Sequence, residues 1–221
     1  MSGDLWTVPV GTDSVSAIYQ GSTTGESLGT FVCAHGAGGN MHDRGVLTVA
    51  SELRGRGLDV VRFNFLYTER KSRRPDPMPV LQKVIEAVVA RARAELSPNQ
   101  LIIGGRSMGG RAASMLAADG FAADRLLLLA YPLHPAGKPE QLRDAHLARI
   151  PMPTLCMNGT RDALCRRDLM EQVLTRVKPS FRMHWLEGAD HSFHVLKSSG
   201  RTDSEVMAEI GETVRPWIAV S

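Results

Sequence analysis

Six short apolar runs recur along this chain, and five segments whose apolar residues fall at helical spacing are interspersed with them. The runs are TFVCA (Thr30 to Ala34), DVVRFNF (Asp59 to Phe65), LIIGG (Leu101 to Gly105), RLLLLA (Arg125 to Ala130), TLCMN (Thr154 to Asn158) and FRMHWL (Phe181 to Leu186). Runs without polar alternation suit strands covered on both faces. The segments VLTVASELRGRG, VLQKVIEAVVARARAEL, GRAASMLAADG and RRDLMEQVLTRV supply the helices, and SEVMAEIGETVRPWIAV a closing one. This alternation predicts an α/β fold with a mostly parallel sheet flanked by helices. The amino-terminal residues, with SVSAIYQ as the clearest strand, are expected as antiparallel strands at one sheet edge.

With 221 residues, 43% of them hydrophobic, the chain can bury one substantial core, and a single domain over 1–221 is expected. Tyr131 to Pro153 is too short a connection for a lid domain. Neither end reads as a targeting segment, and no run approaches a membrane span, so a soluble cytoplasmic protein is expected with no membrane partner.

The formal net charge of +3 is too small to suggest a nucleic-acid partner. One basic cluster, ERKSRRPDP (Glu69 to Pro77), reads as a solvated loop able to attract an anionic substrate or a protein partner. Three cysteines at wide spacing offer neither a disulfide framework nor a zinc site. Cys33 and Cys156 read as small core hydrophobes, Cys165 as a residue of a polar loop. No metal or cofactor is expected.

GRSMG (Gly105 to Gly109) carries the chemistry. It has the G-x-S-x-G spacing and lies between an apolar strand and a small-residue helix, where a sharp turn projects the Ser107 hydroxyl. A serine hydroxyl attacks only when a base removes its proton, which requires an acid and a histidine further along the chain. Asp162 follows the strand ending near Asn158, and His191 follows the strand ending near Leu186. Carboxyl ends of parallel strands are where such sites assemble. Asp190, adjacent to His191, and His194, at the start of the next element, are weaker competitors.

An oxyanion needs two donors. The Met108 amide opens the helix after Ser107, and the Ala37 amide lies in the glycine-rich AHGAGGN (Ala34 to Asn40). His35 is expected to brace that loop. The same loop lacks the G-x-x-x-x-G-K-[ST] and G-x-G-x-x-G patterns that would cradle a nucleotide. His134 and Tyr67, each just past a strand, are candidate substrate contacts, whereas Arg106 is not expected to be catalytic.

In order, HGAGG, GRSMGG, GTRD and GADHSF resemble the α/β-hydrolase superfamily across most of the chain. FNFLYTER, RPDPMPVL, GGRSMGGRAAS and YPLHPAGKPEQLRDAHL are similar to its small dienelactone-hydrolase-related branch, which includes relatives of subunit 3 of the vertebrate NSL chromatin complex. The resemblance implies the α/β-hydrolase fold, a twisted and mostly parallel sheet, with Ser107, Asp162 and His191 as nucleophile, acid and base. Dienelactone hydrolases proper use a cysteine nucleophile, and serine at the elbow favours general ester or acyl hydrolysis. The expected activity is therefore a metal-independent serine esterase acting on a small-molecule acyl substrate. Acyl transfer or peptidase action would use the same residues, and the rival class is an interaction module that retains the fold for a protein partner.

Overall fold

The computed structural model describes residues 3–219, and the last residue of the expected closing helix, Val220, lies outside them. Eight strands form one sheet: β1 (Asp4–Val10), β2 (Asp13–Gln20), β3 (Gly29–Ala34), β4 (Leu58–Phe63), β5 (Leu101–Arg106), β6 (Arg125–Leu129), β7 (Thr154–Gly159) and β8 (Phe181–Leu186). Their order across the sheet is β1-β2-β4-β3-β5-β6-β7-β8. Neighbours from β4 to β8 pair in parallel. β2 pairs antiparallel with both β1 and β4, which places the amino-terminal hairpin at one edge as expected.

Among the described residues six α-helices cover the sheet: α1 (Arg44–Arg54), α2 (Leu66–Glu69), α3 (Met78–Leu96), α4 (Met108–Ala118), α5 (Arg167–Leu174) and α6 (Asp203–Ala219). The period of two along each strand sorts the core into two layers. In β3, Phe31 and Cys33 face one layer and Val32 and Ala34 the other. The first layer packs Val49 and Leu53 of α1 against Ile210 and Val214 of α6. The second packs Val84, Ile85 and Val88 of α3 and Ala112, Ala113 and Leu116 of α4. Among the parallel strands, β8 at the outer edge departs from burial on both faces, since Arg182 is exposed and Met183, His184 and Trp185 are half-buried.

Helix boundaries follow local chemistry. α6 begins at a capping box: the Thr202 N–H donates to Glu205 Oε2 at 2.7 Å, and the Glu205 N–H donates to Thr202 Oγ1 at 3.2 Å. β4 ends at Phe63, two residues before the expected boundary, because the chain turns at Asn64 and Phe65 into the short α2.

Between β6 and β7 the chain makes turns and one short 3-10 helix, Leu147–Arg149, and forms no lid domain. Among the described residues no helix is long and apolar enough to cross a membrane. The basic loop after α2 is exposed, with Arg70 held by Asp76 at 2.5 Å. Cys165 corrects the sequence expectation: the loop carrying it folds inward and buries the thiol, so all three cysteines are buried and free. Burial pushes the Cys33 thiol up to about 12, and Cys156 and Cys165 upward as well, which leaves them unreactive as thiolates.

Gly105 shows how tightly the central strands meet. Its φ is +143°, and a Cβ there would stand 2.1 Å from the Ala34 carbonyl oxygen. Gly105→Ala should therefore lower stability by about 3 kcal/mol or more, through backbone strain plus overpacking. Thermal unfolding should show a fall in Tm of roughly 6–12 °C. Gly25→Ala, whose Cβ would meet nothing within 4 Å, should lose only about 1–2 kcal/mol for its positive φ. Equal shifts in the two variants would refute the close-approach account.

Candidate active site

Ser107 sits between β5 and α4 at φ +49° and ψ −118°, a conformation a non-glycine residue adopts only when its surroundings impose it. The Ser107 N–H donates to the Leu129 carbonyl at 2.9 Å, and the Ser107 carbonyl accepts the Arg111 N–H at 3.0 Å as the helix begins. Two glycines make this turn fit. Gly105 lies against β3, and a Cβ on Gly109 would stand 2.5 Å from the His35 carbonyl oxygen. The start of α4 thus rests on the loop that follows β3.

Three side chains form a line. The Ser107 hydroxyl lies 2.9 Å from His191 Nε2, and His191 Nδ1 lies 2.9 and 3.0 Å from the two carboxylate oxygens of Asp162. With Asp162 accepting from Nδ1–H, Nε2 is the lone-pair nitrogen facing Ser107. The Asp162 carboxylate is fully buried, whereas 27% of the His191 side chain remains accessible. Sequence order had pointed to these three residues, and the structure brings all three together.

Asn158, at the end of β7, escaped the sequence reading. Its Nδ2–H donates to Asp162 Oδ2 and to the Tyr131 carbonyl, both at 3.0 Å, while its Oδ1 accepts the Tyr131 N–H at 3.1 Å. The Leu164 N–H adds a bond to Asp162 Oδ1 at 2.8 Å. A buried carboxylate needs such donors to remain ionised. Gly159 completes this corner, since a Cβ there would meet the Ala189 carbonyl oxygen at 2.0 Å, so β7 and the His191 loop approach without a side chain between them.

Arg106, not expected to be catalytic, turns toward neighbouring structure. Its Nη2–H donates to the His191 carbonyl at 2.8 Å, and its guanidinium lies 5.6 Å from the Phe193 ring centroid. Gly45 leaves room for it, because a Cβ there would come within 2.4 Å of Nη1. Arg106 therefore holds the backbone of the His191 loop from below. A cavity of about 530 Å³ lies on its far side, between α1 and α6, bordered by Arg44, Thr48 and Met207.

Of the candidate oxyanion donors, the Met108 N–H opens α4 beside Ser107, and the exposed Ala37 N–H takes no acceptor among the described residues. A Cβ at the preceding Gly36 would stand 3.5 Å from Ser107 Cβ, so the two donor-bearing turns are adjacent. His35 braces this loop as expected. Its Nδ1–H donates to the Gly36 carbonyl at 2.8 Å, and its Nε2 accepts the Phe65 N–H at 3.3 Å. Burial lowers its pKa and keeps the ring neutral, as that pattern requires.

The two candidate substrate contacts need correction. Tyr67 is buried and its hydroxyl donates to the Gly36 carbonyl at 3.4 Å, so it props the loop bearing Ala37 instead of facing a substrate. His134 is likewise buried: Nδ1–H donates to the Pro135 carbonyl at 2.9 Å and Nε2 accepts the Arg166 N–H at 3.2 Å. Both ring nitrogens are thus committed to the loops around Asp162. Of the weaker competitors, His194 pairs with Asp203 at 2.9 Å, and Asp190 caps the Ser192 and His194 amides, so neither points to Ser107. Among the described residues no cluster of side chains could hold a metal ion.

The chain is similar along nearly its whole length to solved structures. An alpha-beta serine hydrolase homologue from Coxiella burnetii shares 19% identity, with 99% of each chain covered and a TM-score of 0.78. A lidless a/b serine hydrolase from Xanthomonas campestris shares 20%, covering 100% of this chain and 97% of the other, with a TM-score of 0.75. A dienelactone hydrolase from Anabaena variabilis shares 19%, covering 98% and 97%, with a TM-score of 0.73. At such identities the likeness establishes the fold. Residues 28–219 match the alpha/beta hydrolase domain family as a sequence, and the chain belongs to that family.

Proposed function

We propose that the protein is a serine hydrolase that cleaves esters of small acyl substrates through Ser107, His191 and Asp162. The observation that carries this reading is the continuous line from the Ser107 hydroxyl through both nitrogens of His191 to the buried Asp162. A hydrolase fold retained only as a docking surface has no need of that alignment.

Each step follows from the geometry. The Ser107 oxygen attacks the acyl carbon while His191 Nε2 takes its proton, and the carbonyl π electrons move onto oxygen. The Met108 and Ala37 amides face that oxyanion. The tetrahedral intermediate collapses by breaking the ester C–O bond, and His191 returns the proton to the departing alkoxide. Water then attacks the acyl-enzyme, with His191 again taking a proton, and the acid leaves as Ser107 regains its hydrogen. Asp162 keeps Nδ1 protonated throughout and stabilises the transient imidazolium. Its burial and four hydrogen-bonding contacts, from Asn158, Leu164 and His191, fix that orientation.

An alkyl fluorophosphonate should add once to the parent protein and not at all to Ser107→Ala, as read by intact mass. Turnover of an activated ester should fall by about 10³-fold or more in Ser107→Ala and His191→Gln. A folded parent that takes no adduct would favour the interaction module.

Arg106→Gln should lower kcat by about tenfold with little change in KM, because Arg106 orients the His191 backbone without reaching the acyl group. A rise in KM at constant kcat would place Arg106 in substrate binding instead.

With no lid domain over Ser107, short acyl chains should be preferred. Acetyl and butyryl para-nitrophenyl esters are expected to outpace the palmitoyl ester in kcat/KM, and the opposite ranking would show an extended acyl channel.

A further inference from the structure

One helical turn beyond Ser107, Arg111 carries a half-buried guanidinium whose Nε is inaccessible and has no hydrogen-bond partner. Its remaining nitrogens make no hydrogen bond or ion pair among the described residues either. The backbone sets Arg111 one helical turn beyond Ser107. The Arg111 N–H donates to the Ser107 carbonyl, and helical side chains lean toward the helix amino terminus, here the end that carries Ser107.

A second unpaired guanidinium lies beside it. Arg143 belongs to the connection between β6 and β7, at the same carboxyl edge of the sheet as Ser107 and Asp162. Tyr131 and Leu133 fix its backbone: the Tyr131 hydroxyl donates to the Arg143 carbonyl at 2.5 Å, and the Arg143 N–H donates to the Leu133 carbonyl at 2.7 Å. Its half-buried side chain, too, has no hydrogen bond or ion pair among the described residues.

The Ser114 Oγ–His146 Nε2 contact at 2.8 Å joins the two segments three residues beyond Arg111 and Arg143, so the like charges share one neighbourhood. Burial and then the charge of Arg111 lower the pKa of Arg143, and the same two causes push His146 down to about 4. His146 is therefore neutral, and it is held 2.8 Å from Ser114 Oγ on the α4 face that also bears Arg111. Nearby carboxylates are engaged elsewhere. Asp144 pairs with Arg176 at 2.9 Å and Asp119 with Arg149 at 3.6 Å. Two partly desolvated like charges with no acceptor are unfavourable in the unliganded protein. An anion from outside would satisfy both, and the flat fork of a guanidinium matches a carboxylate.

We propose that Arg111 and Arg143 bind a carboxylate carried by the substrate, so that the hydrolase acts on acidic esters in preference to neutral ones. This inference rests on Ser107 as the nucleophile, since it is the position of Arg111 one turn beyond Ser107 that makes the arginine pair a substrate subsite.

The test has a kinetic arm and a binding arm. In the first, the parent is compared on para-nitrophenyl hydrogen adipate and para-nitrophenyl hexanoate, which differ by the terminal carboxylate. The parent should favour the adipate ester in kcat/KM by roughly tenfold or more, and the ratio should fall toward unity in Arg111→Gln and in the less constrained Arg143→Gln. Arg111→Lys, which keeps charge but not the fork, should retain part of the preference. In the binding arm, Ser107→Ala is titrated calorimetrically with adipate and with inorganic phosphate. Adipate should bind, and should cease to bind once Arg111→Gln is added. Ser107-dependent turnover of both esters at equal efficiency, with no adipate binding, would overturn the subsite and leave the hydrolase reading intact. Adipate binding that depends on Arg111 without any Ser107-dependent turnover would do the reverse. Phosphate binding tighter than adipate would overturn the choice of a carboxylate.

Discussion

Because neither Gly105 nor Gly109 carries a side chain, the first turn of α4 rests directly on the end of β3, and everything at the carboxyl edge is arranged around that contact. It lifts Ser107 into its strained conformation and puts the Ala37 turn beside the Met108 amide. Strain of this kind costs about 1–3 kcal/mol and persists only when the surroundings over-determine it. Here the central parallel strands do so: the Ser107 amide is tied to Leu129 of β6, and the residues flanking it belong to β5 and α4. The glycines thus act less as flexible joints than as places where two backbones touch.

The other half of the site depends on an ion held out of water. A carboxylate buried without partners carries a large desolvation cost. Asn158 and the Leu164 amide supply its donors, and Asn158 is itself locked by both polar groups of the Tyr131 backbone. The end of β6 therefore fixes a residue of β7, which fixes Asp162, which in turn orients His191. Arg106 reaches the same histidine from the opposite direction through its carbonyl. His191 is thus restrained at both ring and backbone, while its side chain and Ser107 stay only partly buried.

Local pattern carried much of this. The alternation of apolar runs with helical periodicity gave the parallel sheet, and the edge hairpin followed from the weaker alternation of SVSAIYQ. Ser107, Asp162 and His191 could be read because each follows an apolar run, and in a parallel sheet the residues after such runs share one edge. Side-chain direction was not legible in the same way. Tyr67 and His134 also follow strands, yet they turn inward, because neighbouring backbone amides and carbonyls offered partners that no spacing reveals. Cys165 was misplaced for the same reason: a polar flank does not show that its loop folds back onto the core. Asn158 was missed, and Arg106 was read only as non-catalytic, because both act through a partner whose position no spacing reveals.

The arginines around the elbow separate structure from recognition more sharply than their sequence positions do. Arg106 and Arg111 flank Ser107 within a single short motif, and by composition they are equivalent. Arg106 donates a hydrogen bond to the His191 carbonyl and lies over Phe193, so its charge is used within the fold. Arg111 has no such use, and Arg143 intensifies the problem instead of relieving it. A fold needing only bulk at those places could hold it with an apolar or amide side chain, without the repulsion of two guanidiniums. Unmet charge one helical turn beyond Ser107 points outward, to the carboxylate proposed for it.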